Sequence, residues 1–412
     1  MSTRPPKRAV VTGISVVAPG GLGTERYWKS LLTGENGIGE LSRFDAARYP
    51  SRLAGQITDF DASEHLPGRL LPQTDVSTRY ALAAADWALA DAGVGPESGF
   101  DDYDLGVVTS TAQGGFDFTH REFHKLWSQG PEYVSVYESF AWFYAVNTGQ
   151  ISIRNAMRGP SAALVGEQAG GLDAIGHARR TVRRGTRLVL SGGVDSALDP
   201  WGFASQLAGG LVSTVTDPER AYLPFDTDAS GYVPGEGGAV LIVEDADSAR
   251  ERGAERIYGE IAGYAATFDP APGSGRPPAL DRAARLALAE AGLTPADVSV
   301  VFADGAGVPE LDRAEADALV RLFGPRGVPV TAPKALTGRL CAGGGPVDVA
   351  AALLALRDQV IPASGRTTRV PDTYAIDLVT GEPRAAALDT ALVLARGRHG
   401  FNSAVVLTAP RP

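Results

Sequence analysis

Two rhythms of apolar residues alternate along the chain. Short aliphatic runs bounded by Gly and Pro predict strands: "AVVTGISVVAP" from Ala9, "LGVVTS" at 105–110, "SAALV" at 161–165, "RLVLS" at 187–191 and "GGAVLIVE" at 237–244. Between them, apolar positions recur at helical spacing. "ALADAGVGP" at 88–96 ends one helix with a Gly at the cap, and Leu172, Ile175, Arg179 and Val182 share one face of another. A similar series then repeats in order. "IYGEIAGYAAT" from Ile257, the helix end "ALAEAGLTP" at 287–295, "VSVVFA" at 298–303, "VPVTAP", the helix "PVDVAAALLALRDQV" and the paired "TALVLARG" and "SAVVLTAP" match the first series piece by piece.

Strands alternating with helices predict an α/β fold, a parallel sheet with helix layers on both faces. The repeat predicts two copies of one α/β unit, residues 1–250 and 251–412, with the break near 245–257. The first copy carries insertions at about 24–75 and 113–158. The second insertion, with "FHKLWSQGPEYVSVYESFAWFYAVNTGQ", is dense in aromatics, a composition suited to a subunit interface or an apolar pocket wall.

Composition narrows the function. With 412 residues, 44% of them hydrophobic and 21% charged, the chain can bury a large core. A formal charge of −10 argues against nucleic acid or an anionic membrane as the main partner, and fits a cytoplasmic protein. No apolar run approaches the roughly 18 residues of a membrane span. "MSTRPPKRAVVTG" lacks the apolar core of a signal peptide and reads as a short tail before the first strand. A single cysteine, Cys341, excludes an internal disulfide and a Cys-rich metal site. His120 and His124 in "HREFH" read as a solvated helix face, because Glu122 is misplaced for a zinc motif. We expect no metal and no cofactor, since no dinucleotide or Walker-type fingerprint stands in the right strand–helix context.

The stretch "VGEQAGGLD" poses the chemical question. An apolar strand runs into it and a helix leaves it, so its side chains sit where backbone N–H groups and the helix dipole favour negative charge. Enzymes use such a mount for a nucleophile, yet this chain places the amide of Gln168 there. Arg179, Arg180, Arg183 and Arg184 crowd the last turn of that helix, placed to meet the negative end of its dipole. Neither the surroundings of Ser191 nor "VPGEGG" forms a G-x-S-x-G elbow that would supply another nucleophile. Cys341 lies on another element without a helix mount and reads as a buried or interface thiol.

"VVTGISVVAPGGLG", "DPERAYLPFDTDASGYVPGEGGAVLIVED" and "PKALTGRLCAGGG" together resemble the β-ketoacyl synthases of the thiolase superfamily, over essentially the whole chain. "GEQAGGLDA", "SVYESFAWFYAVNTGQISIRN" and "ARGRHGFNSA" are more closely similar to the chain length factors, the β subunits of type II polyketide ketosynthases. The resemblance implies a layered α-β-α-β-α thiolase-like fold. It puts Gln168 at the acyl-carrying cysteine, Asp304 at the first catalytic histidine and Arg339 at the second. Lys334 and Glu315 keep the family's lysine and glutamate. All three reacting groups are thus replaced. An amide does not attack a thioester, and an ionised Asp304 would repel an enolate oxygen. No autonomous condensing activity is expected.

The resemblance further implies a heterodimer with a catalytic ketosynthase of the same fold, served by an acyl carrier protein. This chain would then shape a chamber for a poly-β-keto chain carried on the partner and help set its length in aromatic polyketide biosynthesis. It places Thr109, Ala112, Phe116 and Tyr133 on the chamber wall. The alternative is decarboxylation of malonyl carrier protein to an acetyl starter, with Gln168 as an oxyanion donor.

Overall fold

The computed structural model describes residues 7–271 and 273–410. Its frame is a twelve-stranded sheet whose strand order explains the repeat. From one edge the strands are Asp377–Leu378, Pro329–Thr331, Val300–Phe302, Thr390–Arg396, Phe401–Thr408 and Gly259–Phe268. The order continues with Ala9–Ala18, Gly237–Asp245, Leu188–Asp195, Leu105–Ser110 and, at the other edge, Ser161–Leu164, while Gly21–Leu22 pairs with Ala9–Ala18. With Gly21–Leu22 and the edge strand Asp377–Leu378 set aside, the five remaining strands of each half, numbered along the chain, run 1-5-4-2-3 outward from the middle. The halves meet through their first strands, which pair antiparallel at Val10 with Glu260 and Val11 with Gly259.

The sheet is mixed rather than parallel. In each half the second, third and fourth strands are parallel, while the fifth pairs antiparallel with the fourth and the first. In the second half the cause is local. Only residues 397–400 separate Thr390–Arg396 from Phe401–Thr408, which is enough for a hairpin and too little for a crossover helix.

Two helices lie between the halves. Glu167–Arg183 and Gly344–Asp358 pack on each other and on strands from both halves. Gly344–Asp358 is buried nearly all round and rich in Ala, as a helix enclosed on every side must be. The close approach needs glycine: a Cβ on Gly171 would stand 2.2 Å from the Ala342 carbonyl oxygen, and one on Gly176 would enter the Tyr264 ring at 2.3 Å. Outside, Val76–Asp91 covers the first half's sheet and Leu280–Ala291 the second's. Leu280–Ala291 buries Leu280, Ala283, Ala284, Ala287 and Leu288, one amphipathic face, and ends at Gly292 with φ 70°. The result is the expected sequence of five layers.

Arg179 does not serve the helix dipole. Its guanidinium is buried and crosses to the other half, where it donates to the carbonyls of Ile261 at 2.7 Å and Ala262 at 2.6 Å and pairs with Glu290 at 2.7 Å. Arg180 and Arg183 remain in the last turn.

Candidate functional site: a sealed mount and a charge-balanced centre

The strand Ser161–Leu164 enters the mount through Gly166 and Glu167. Glu167 holds φ at +50°, a strained value for a residue with a side chain, so the sharp turn of a nucleophile mount is present. Gln168 follows in the first helical turn and is fully buried. Neither its Oε1 nor its Nε2 has a hydrogen-bond partner among the described residues. The side chain fills the space beside Gly344, where a Cβ would come within 2.5 Å of Nε2. An amide so placed is a plug: it has neither exposure nor nucleophilicity.

Asp304 and Arg339 form an ion pair at 3.4 Å where the resemblance implies two histidines. Both are buried. The Asp304 carboxylate also accepts from the Arg396 backbone N–H at 2.9 Å and faces its guanidinium at 3.4 Å. Burial alone would raise the pKa of Asp304, but Arg339, Arg396 and Lys334 override it and hold the carboxyl at about 2. Glu315 accepts from the backbone N–H groups of Asp304 at 2.8 Å and Gly305 at 3.0 Å, and pairs with Arg396 at 3.1 Å. Lys334 pairs with Asp348 at 2.6 Å and donates to the Ala303 carbonyl at 2.8 Å. Three cations therefore face three carboxylates, and Glu167 approaches Arg339 as a fourth at 3.9 Å. Opposite charges are matched across the centre, while Arg396 Nε and the Asp348 oxygens meet their neighbours through charge without a hydrogen bond among the described residues, and a fixed anion stands at Asp304 where condensation needs a donor to an oxyanion.

A cavity of about 320 Å³ reaches this centre, lined by Asp304, Arg339 and Arg396 at its base and by Tyr232, Arg398 and Phe401 among others. Gln168 does not line it. Cys341 is buried in a turn before the central helix, at φ +50°, and its sulfur accepts from the Gln113 side chain at 3.3 Å. Burial pushes the thiol's pKa well above its ordinary value, so it is no substitute nucleophile.

Three of the four expected chamber residues follow one another along one run. Thr109 is buried in the strand Leu105–Ser110, with its hydroxyl 2.6 Å from that of Thr148. Ala112 lies just past the strand, its N–H 3.0 Å from the Asp195 carboxylate. Phe116 opens the helix Phe116–Ser128, its ring 4.8 Å from that of Trp201. Tyr133 stands apart, in the turn Pro131–Tyr133 beyond the helix, and is exposed.

His120 departs from the sequence reading. Its Nδ1 lies 2.8 Å from the buried Asp199 carboxylate, so one of the two histidines is tied to a neighbouring helix. His124 is exposed, as expected. Sequence reasoning missed Arg396, Asp195 and Asp199. The signal for Arg396 was present: a buried aspartate needs cations, and "LARGRHG" brings several to the end of a core strand.

The "Beta-ketoacyl synthase, N-terminal domain" profile matches residues 7–249, and the "Beta-ketoacyl synthase, C-terminal domain" profile matches residues 258–367. The chain belongs to the β-ketoacyl synthase family. Within that family it groups with the polyketide ketoacyl synthase β subunits, the chain length factors. It is 84% identical to the granaticin polyketide putative β-ketoacyl synthase 2 of Streptomyces violaceoruber, over 99% of this chain and 98% of that one. It is 59% identical to the tetracenomycin polyketide synthase ketoacyl synthase β subunit of Streptomyces glaucescens, over 98% of each. Among solved β-ketoacyl synthase relatives, the ishigamide ketosynthase/chain length factor superposes with a TM-score of 0.90 at 25% identity, over 99% of this chain and 100% of that one. A chain of AntDE:AntF, a type II acyl carrier protein in complex with its hexaketide-bound ketosynthase, gives a TM-score of 0.89 at 25% identity, over 98% of this chain and 100% of that one.

Proposed function

We propose that this chain is the non-nucleophilic subunit of a heterodimeric type II polyketide ketosynthase. It pairs with a catalytic subunit of the same fold, which an acyl carrier protein serves, and it shapes the chamber into which the partner's poly-β-keto chain grows. The observation that carries the reading is the disabled centre: a plugged mount at Gln168 and an Asp304–Arg339 ion pair, inside a fold otherwise kept whole. A fold preserved without its chemistry has a use in assembly.

The surface supports the assembly. The aromatic insertion leaves Trp127, Tyr133, Trp142, Phe143 and Tyr144 exposed, and Ser161–Leu164 is an edge strand of the sheet. Large exposed apolar faces and unpaired sheet edges are unusual in single chains and suit a partner. The names of the solved relatives support the identity of the partners: one is a ketosynthase with a chain length factor, the other a ketosynthase with its carrier protein. The same reading takes Thr109, Ala112, Phe116 and Tyr133 as chamber wall, divides the chain into the halves 1–250 and 251–412, and places its work in the cytoplasm, in keeping with the acidic balance and single cysteine. Among the described residues no helix is long and apolar enough to cross a membrane. Starter formation through Gln168 gains nothing from the geometry, because the amide is sealed from the cavity that reaches the centre.

The test is co-expression with a catalytic ketosynthase and assay with malonyl carrier protein. Loss of product on Cys→Ala in the partner, with Gln168→Ala here nearly silent, is expected. Loss of starter formation on Gln168→Ala, restored by supplied acetyl groups, would reject the purely shaping role.

A further inference from the structure

The run from Thr111 to His120 joins the strand Leu105–Ser110 to the helix that carries Phe116. Three buried carboxylates from three other elements hold it. Asp195 ends the strand Leu188–Asp195. It accepts from the Thr111 hydroxyl, from the Ala112 N–H at 3.0 Å and from the Gln113 N–H at 3.3 Å. It also accepts from the Ala342 N–H at 2.9 Å, in the turn before the central helix. Asp75 caps the helix Val76–Asp91 through the Ser77 N–H at 2.8 Å, and its other oxygen takes the Phe118 N–H at 2.9 Å. Asp199 caps the helix Pro200–Leu207 through the N–H groups of Trp201 at 3.0 Å and Gly202 at 3.1 Å, and it meets His120 Nδ1 at 2.8 Å.

A carboxylate offers about four lone-pair sites, and Asp195 fills them with donors from two separate loops. Burying charge costs free energy unless the geometry returns it, so three buried carboxylates are an expensive way to hold one short run. Phe116 lies between them, and its ring rests on Trp201, in the helix turn that Asp199 caps. His120 and Phe123, one and two turns on, meet the same short helix, Phe123 with its ring 5.8 Å from that of Trp201.

We propose that Asp195, Asp75 and the Asp199–His120 pair are positioning residues of the chamber wall: they hold Thr111–His120 as one rigid piece and so fix where Phe116 stands, which keeps the product to one length. This rests on the reading of Phe116 as a chamber residue. A wall freed from an anchor samples several depths, so the product spectrum broadens while condensation itself, which the partner performs, continues.

The experiment uses the purified heterodimer with malonyl carrier protein, reading product masses, total malonyl consumption and unfolding temperature. The arms are Phe116→Ala, His120→Ala, His120→Asn and Asp195→Asn. His120→Ala is expected to replace one dominant chain length by a mixture at unchanged malonyl consumption. His120→Asn restores the single product, because its amide nitrogen stands close to the position of Nδ1 and can donate to Asp199. Asp195→Asn broadens the spectrum as well. If Phe116→Ala shifts the length and His120→Ala leaves the wild-type spectrum, the anchors only stabilise the fold and the proposal fails. It fails too if His120→Asn does not rescue. If Asp195→Asn does not fold, the two His120 arms decide. If Phe116→Ala changes nothing, the chamber reading of Phe116 falls first and takes this inference with it.

Discussion

The side chain of Gln168 occupies the space that a β-carbon on Gly344 would need: the two would approach within 2.5 Å. Gly344 has ordinary helical angles, φ −65° and ψ −45°, so space and not backbone freedom requires the glycine. Gly344→Ala should therefore destabilise the chain by about 1–3 kcal/mol through overpacking. Gln168→Ala in the same chain should recover part of the loss. Denaturant unfolding of the four proteins of this cycle measures the coupling, and additive effects would show that the two residues do not compete for one space.

Breaking the buried pair should cost more than removing it. Asp304→Asn leaves Arg339 and Arg396 facing each other without their shared anion, a loss of about 3–5 kcal/mol. Asp304→Asn combined with Arg339→Met should lose less than the sum of the two single changes. Equal and additive losses in thermal unfolding would mean that the charges do not depend on one another.

Stability should peak on the acid side of neutrality. Burial raises Asp195 and Asp348 from 3.8 to about 6, and Asp312 from 3.8 to about 7. The native state takes up these protons before the unfolded chain does, so stability grows as pH falls through 7 and 6 and is complete below 3.8. Asp304, lowered to about 2, acts in the opposite sense: its contribution is complete above 3.8 and is lost as pH falls through 2. The unfolding temperature of the heterodimer should rise from pH 8 towards pH 5, and Asp312→Asn should flatten the upper part of that rise. A temperature that drops steadily from pH 8 to pH 5 would contradict the assignment.

Phe116→Ala should lengthen the polyketide made by the heterodimer, and Ala112→Phe should shorten it, since bulk at the wall truncates the space for the growing chain. Product masses decide. An unchanged spectrum from intact complexes carrying both changes would remove Phe116 and Ala112 from the wall.

Trp142 stacks edge-on against Phe143, ring centroids 5.5 Å apart, on the exposed insertion. Buried aromatic anchors dominate interfaces, so Trp142→Ala should weaken pairing with the catalytic subunit by at least about 2 kcal/mol without lowering helix content. Titration calorimetry or co-purification at falling concentration reads the loss. Undiminished affinity would move the interface elsewhere.

Much of this was readable in the residues, because it rests on local pattern. The repeat of "ALADAGVGP" in "ALAEAGLTP" led to two helices that cover the two halves of one sheet, and the Gly292 cap adopts the left-handed conformation expected of it. The mount was legible from strand, glycines and helix. What was not legible depends on distant partners. Asp304 and Arg339 were each placed by the motif they replace, but their contact and its third member, Arg396, are set by the meeting of separate loops and a strand end. Arg179 has the spacing of a helix-end cation, yet the other half of the sheet lies against it and supplies two carbonyls. His120 looked solvated because nothing nearby in sequence announces Asp199.

The Asp304–Arg339 pair also bears on descent. To place there the two imidazoles that the resemblance implies, one position must change before the other, and each intermediate leaves a buried charge without its 3.4 Å partner. Gln168 must revert as well, and until it does the intermediates gain no reactivity to offset that defect. The path back to a condensing centre therefore crosses several unstable and idle proteins in succession. Division of labour between two subunits, once fixed by such a pair, is hard to undo by single substitutions.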